Sequence, residues 1–67
     1  MPIKNLSEFR NKYKLTHYEM AEKLNVSKSF YSKVEYGVRN PSFNFIKKFK
    51  EVFPNADIDV LFFRQAS

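Results

Sequence analysis

The chain has 67 residues, with 12 Lys+Arg against 7 Asp+Glu for a net charge of +5, and no Cys. This length holds one small core, and without cysteine there is neither a disulfide scaffold nor a cysteine zinc site. A single histidine, His17, excludes a multi-histidine metal site, and no apolar run approaches the roughly 20 residues of a membrane helix.

Eight Phe and four Tyr beside one Gly describe a folded chain rather than a linker. The start, Met1-Pro2-Ile3-Lys4-Asn5, has no apolar segment of the signal-peptide type, so a soluble cytoplasmic protein is expected. Residues 1–50 carry 11 basic and 4 acidic groups, net +7, whereas residues 51–67 carry one basic and three acidic, net −2. A basic body suits a polyanion and an acidic, apolar tail suits protein. Charge alone fits an ordinary basic protein equally well.

Apolar residues recur at helical spacing, and strict alternation never persists. Five short helices are expected. The first spans about Leu6 to Tyr13, with Asn5 and Glu8 at capping-box spacing and Leu6, Phe9 and Tyr13 on one face. The second spans about His17 to Leu24, with Thr16 and Glu19 as a capping box, an inner face of Met20, Ala21 and Leu24, and Asn25 as a left-handed terminator. The third spans about Lys28 to Tyr36, capped by Ser27 and stopped by Gly37, with Tyr31 and Val34 facing inward alongside Val26. The fourth opens at Ser42 and stops before Pro54, with Phe43, Ile46, Phe49 and Phe53 as its buried stripe. Phe45 falls off that stripe, and the sequence leaves open whether it and Phe30 are buried or exposed. The fifth spans about Ile58 to Phe62, capped by Asp57.

Only Asn25-Val26-Ser27 separates the second and third helices. Ala21 is small enough for the next helix to approach, and Val26 plugs the angle between them. A helix-turn-helix, whose helices meet at about 90–120°, requires this arrangement. The outer face of the third helix carries Lys28, Ser29, Ser32 and Lys33, side chains able to bond base edges in a major groove. An isolated helix with this face would be read as merely solvated; the tight turn before it reverses that reading.

Leu15-Thr16, Glu19, Ala21-Glu22-Lys23-Leu24, Val26-Ser27, Lys28-Ser29, Ser32, Val34-Glu35, Gly37 and Arg39-Asn40-Pro41-Ser42 together resemble the lambdoid phage repressor/Cro helix-turn-helix family, also called the xenobiotic-response-element family. The resemblance covers about residues 5–62. It implies an all-α, compact five-helix lambda-repressor-like domain over residues 1–67, with the helix-turn-helix at about 16–36. It further implies a homodimer bound to double-stranded DNA at an inverted repeat, with no cofactor. By position, Lys28, Ser29 and Lys33 match base-reading residues, with Ser32 a weaker candidate. Ser27, Arg39, Asn40 and Ser42 match the grip on the phosphate backbone, where free helix N–H groups also favour an anion. His17 stands where the family often has a phosphate-bound glutamine; it either donates to phosphate or is a plain exposed histidine. Arg10 and Glu35 match an internal ion pair of the family.

Phe30 departs from the family's small or polar residue there, and touches a thymine methyl, packs against the core or covers a neighbouring side chain, with packing favoured. Ile58, Val60, Leu61, Phe62 and Phe63 crowd a tail too short to bury them all. The tail, residues 57–67, is therefore expected to form a two-fold dimer interface through Ile58, Leu61, Phe62 and Phe63, against the alternative that it completes the core. The leading functional expectation is a sequence-specific transcriptional repressor, nucleoid-associated through its DNA. The alternative is an antitoxin- or antirepressor-like protein that acts through a protein partner. No small-molecule ligand or membrane is implied. An enzyme is excluded, because there is no cysteine nucleophile, no glycine-rich phosphate loop and no evident partner for the single histidine.

Overall fold

The computed structural model describes residues 4–63, with side chains from residue 6 onward. Five helices follow in order: α1 (Lys4–Lys12), α2 (His17–Leu24), α3 (Lys28–Glu35), α4 (Phe43–Val52) and α5 (Asp59–Phe63), the last a single wide turn of π type. No strand occurs among the described residues. The N-terminal Met1–Ile3 and the tail residues 64–67 lie outside the described part.

Local chemistry sets most boundaries. Thr16 and Glu19 form a reciprocal capping box: Glu19 N–H donates to Thr16 Oγ1 at 3.1 Å, and Thr16 N–H to Glu19 Oε1 at 2.9 Å. Ser27 and Ser42 cap α3 and α4 by accepting from the N–H of Phe30 and Phe45. Asp57 Oδ1 accepts from Val60 N–H at 3.2 Å ahead of α5. The first helix departs from expectation at its start. It already includes Lys4, so Asn5 lies inside it; the Asn5 side chain is outside the described part.

Helices α1, α2 and α3 all end in one geometry, with a left-handed residue followed by a long backbone bond back into the last turn. Lys14 (φ 57°), Asn25 (φ 58°) and Gly37 (φ 80°) are the left-handed residues. Leu15 N–H donates to Arg10 O, Val26 N–H to Ala21 O and Val38 N–H to Lys33 O. Each is a Schellman closure, which satisfies terminal carbonyls and turns the chain sharply. Asparagine and glycine tolerate this conformation; lysine does so at a cost of about 1–2 kcal/mol.

The core consists of Leu6, Met20, Ala21, Leu24, Tyr31, Val34, Phe45, Phe49, Ala56, Leu61 and Phe62. Aromatic rings run through it. Phe49 lies 5.3 Å from Phe9 and 5.3 Å from Phe62, and Phe45 lies 6.0 Å from Phe62. Such pairs add about 0.5–1.5 kcal/mol each beyond area burial, which matters in a chain this small. Among the described residues no helix is long and apolar enough to cross a membrane.

Two expectations about this core are corrected. Phe43 is 79 % exposed and Phe45 only 2 %, so the inner stripe of α4 runs through Phe45 and Phe49, flanked by half-buried Ile46, Val52 and Phe53. The cause is α3, whose Phe30 and Tyr31 rings meet Phe45 at 5.6 and 6.3 Å. In the tail, Leu61 and Phe62 are buried in the core rather than left for a partner, because the wide turn of α5 points both at α1 and α4. Of the expected interface residues, only half-buried Ile58 and Phe63, which is 65 % exposed, remain at the surface.

Candidate nucleic-acid interface

The turn between α2 and α3 brings the two helices into direct contact. Ala21 is buried at their junction and Val26 is half-buried. The inward side of α3 carries Tyr31, Val34 and Glu35. This leaves Lys28, Ser29 and Lys33 exposed on its outer face, with Ser32 half-buried beside them. These four positions share one side because Lys28 and Ser32, and likewise Ser29 and Lys33, stand four residues apart, and Ser29 and Ser32 three.

At the near end of that face, the N-termini of α3 and α4 flank a groove lined in part by Asn25, Ser27, Phe30, Ser42, Asn44 and Lys48. Ser27, Arg39, Asn40 and Ser42 are all exposed. The hydroxyl oxygens of Ser27 and Ser42 accept from helix N–H groups, which leaves each O–H free to donate. The Arg39 guanidinium sits 5.0 Å above the Phe30 ring, so Phe30 both packs on Phe45 and carries the arginine. The sequence offered no signal for this pairing, since cation–π contacts have no fixed spacing.

Behind α3 lies a buried polar network centred on Glu35, which is 3 % exposed. Arg10 donates from Nε to Oε2 at 2.9 Å and from Nη2 to Oε1 at 3.1 Å. The Tyr31 hydroxyl donates to Oε2 at 2.7 Å, and His17 Nε2 stands 2.9 Å from Oε1. Burial pushes the Glu35 carboxyl up, but the hydrogen bonds from Arg10, Tyr31 and His17 together hold it below the ordinary carboxylate range. The hydrogen bond to Glu35 raises Arg10 in turn. Burial pushes the Tyr31 hydroxyl far up, so it stays a donor.

His17 sits differently from either sequence reading. It is neither a plain exposed histidine nor free to face phosphate. Nε2 meets Glu35, and Nδ1 lies 3.0 Å from the Ser32 hydroxyl. Its ring also meets Tyr31 at 5.8 Å and Tyr36 at 5.5 Å. His17 is therefore part of the internal network, a role the sequence did not reveal because its partners are 14 to 19 positions away in the chain. Tyr31 was read only as core, and its hydroxyl is a further functional group of this network.

A family model described as helix-turn-helix matches residues 6–61 of the chain. No curated protein and no solved structure matches it. The matched span includes all of α2, α3 and α4 together with the caps and closures that fix their angles. By that match and by this geometry, the chain belongs to the Cro-type helix-turn-helix family of DNA-binding transcriptional regulators.

Proposed function

We propose that the chain is a repressor that binds a palindromic operator as a homodimer, with Lys28, Ser29, Ser32 and Lys33 reading base edges. The observation that carries this reading is the outer face of α3, polar and basic, standing proud of a turn that buries the opposite face. Lysine donates to guanine O6 and N7, and serine bonds several bases. Ser27, Arg39, Asn40 and Ser42 hold the phosphate backbone beside it, and position the helix without reading sequence.

The dimer uses what remains apolar outside the core. Ile58 and Phe63 supply the tail portion, and Ile58 also lines an apolar groove with Phe43 and Ile46. A two-fold pairing sets the two recognition helices about 34 Å apart, on half-sites one DNA turn from each other. A purely protein-directed role, for which Phe30, Phe45, Phe62 and Phe63 are the aromatic candidates, has less support than the sequence alone suggested, because Phe45 and Phe62 are buried, Phe30 is half-buried and Phe63 alone of the four is exposed.

Light scattering on the complex with a selected duplex tests the stoichiometry, and transcription in vitro from a promoter overlapping that site tests the role. The expected result is two chains per duplex and loss of transcript. One chain per duplex, or an increased transcript, would overturn the dimer or the repressor role respectively.

A further inference from the structure

Ser32 stands on the outer face of α3, yet its hydroxyl has a partner inside the protein, His17 Nδ1 at 3.0 Å. The other ring nitrogen meets Glu35, which also accepts from Arg10 and Tyr31. An ionised carboxylate only accepts hydrogen bonds, so the proton between Glu35 and His17 sits on Nε2. A neutral imidazole protonated at Nε2 has a bare Nδ1, which accepts. The proton that reaches it comes from Ser32. With the imidazole in this neutral form the hydrogen bonds run in one direction, from Ser32 O–H to His17 Nδ1 and from His17 Nε2–H to Glu35, which Arg10 and Tyr31 hold in place. The charged and titratable groups around the ring are Arg10 from α1, Tyr31 and Glu35 from α3, and Tyr36 just after α3.

A serine hydroxyl ordinarily rotates and serves as donor or acceptor, so it discriminates bases poorly. In that relay its single proton is committed to His17, which leaves only its lone pairs for an outside partner. We propose that His17 is a positioning residue for specificity: it holds Ser32 as an acceptor on the recognition face, so that this position selects a base with an amino group in the major groove, adenine or cytosine. The inference rests on α3 being the base-reading helix. Guanine and thymine offer acceptors at the corresponding edge, and an acceptor facing them gains nothing.

Two measurements test it. Long-range proton–nitrogen correlation of the His17 ring in the free protein reads the tautomer directly. Protonated Nε2 with bare Nδ1 is expected, and a proton on Nδ1 overturns the relay whatever the DNA result. Selection from a random DNA pool then compares the native chain with Ser32→Ala, His17→Phe and His17→Gln. One position per half-site should favour adenine or cytosine by roughly threefold to tenfold, the size of one hydrogen bond. Ser32→Ala and His17→Phe should both flatten that position and leave the others sharp. His17→Gln should restore it, because a carboxamide carries one donor for Glu35 and one acceptor for Ser32. If His17→Phe leaves the position intact while Ser32→Ala flattens it, or blurs every position equally, His17 does not set specificity. A native chain with no base preference at any position overturns the base-reading role itself, separately from the tautomer.

Discussion

Arg10 grips Glu35 with two nitrogens, at 2.9 and 3.1 Å, across 25 residues of chain, and its third nitrogen donates to the Leu15 carbonyl at 2.7 Å. One side chain thereby ties α1 to the entry of α2 and to the end of α3. Removing it leaves a buried charge with only Tyr31 and His17. Arg10→Ala should lower stability by about 3 kcal/mol. Urea denaturation measures this, and a loss below about 1 kcal/mol would show that the pair does not hold the helices together.

The same network makes stability fall in acid. The folded chain holds the Glu35 carboxyl below its ordinary value of 4.5, so the unfolded chain takes up the proton first as pH drops. Stability from this group is complete above that ordinary value and is lost as pH falls through the lower folded one. Glu35→Gln removes the titrating group, so its stability should change less between about pH 5 and about pH 3 than that of the native chain. Denaturant midpoints over that range decide it; parallel curves would contradict the account.

Phe43 and Phe45 offer a direct contrast, two residues apart on one helix and at opposite extremes of exposure. Phe45→Ala should cost about 3 kcal/mol or more, enough to erase a cooperative thermal transition in so small a chain. Phe43→Ala should stay within about 0.5 kcal/mol. Equal effects would mean that α4 presents a different face.

That contrast also shows where the sequence was legible. The limits of α2 and α3 could be read almost to the residue, because Thr16, Glu19, Asn25, Ser27 and Gly37 act on their own neighbours. The face of α4 could not. Phe43, Phe45, Ile46, Phe49, Val52 and Phe53 contain two overlapping helical stripes, and only the arrival of Phe30 and Tyr31 from α3 selects between them. The tail was misread for a related reason, since α-helical spacing does not describe the wide turn that buries both Leu61 and Phe62. In the candidate interface, the exposed residues of α3 followed from the inner ones. The engagement of His17 with Ser32 and Glu35 did not, because it depends on the angle between α2 and α3 rather than on any local pattern.

Lys14 occupies a left-handed position that glycine would fill without steric cost. Lys14→Gly should raise stability by about 0.5 kcal/mol, the relief of strain exceeding the added freedom of the unfolded chain. A thermal midpoint that falls would show that the closure after α1 is not strained.

Arg39 is exposed and held over the Phe30 ring of α3. Arg39→Ala should weaken binding to every DNA sequence and lower the slope of log affinity against log salt by about one. Titrations on a selected site and a scrambled one settle the matter. An altered base preference with an unchanged slope would place Arg39 among the base-reading residues instead.

The most direct test of the central claim, that the outer face of α3 reads bases, is selection of bound fragments from a random DNA pool. It should be run at about 50 and about 200 mM salt, with the Lys28→Ala/Lys33→Ala double variant alongside. The account predicts a palindromic site that persists at the higher salt and is no longer recovered with the double variant. Sequence-blind binding that vanishes at the higher salt, equally for both chains, would contradict it.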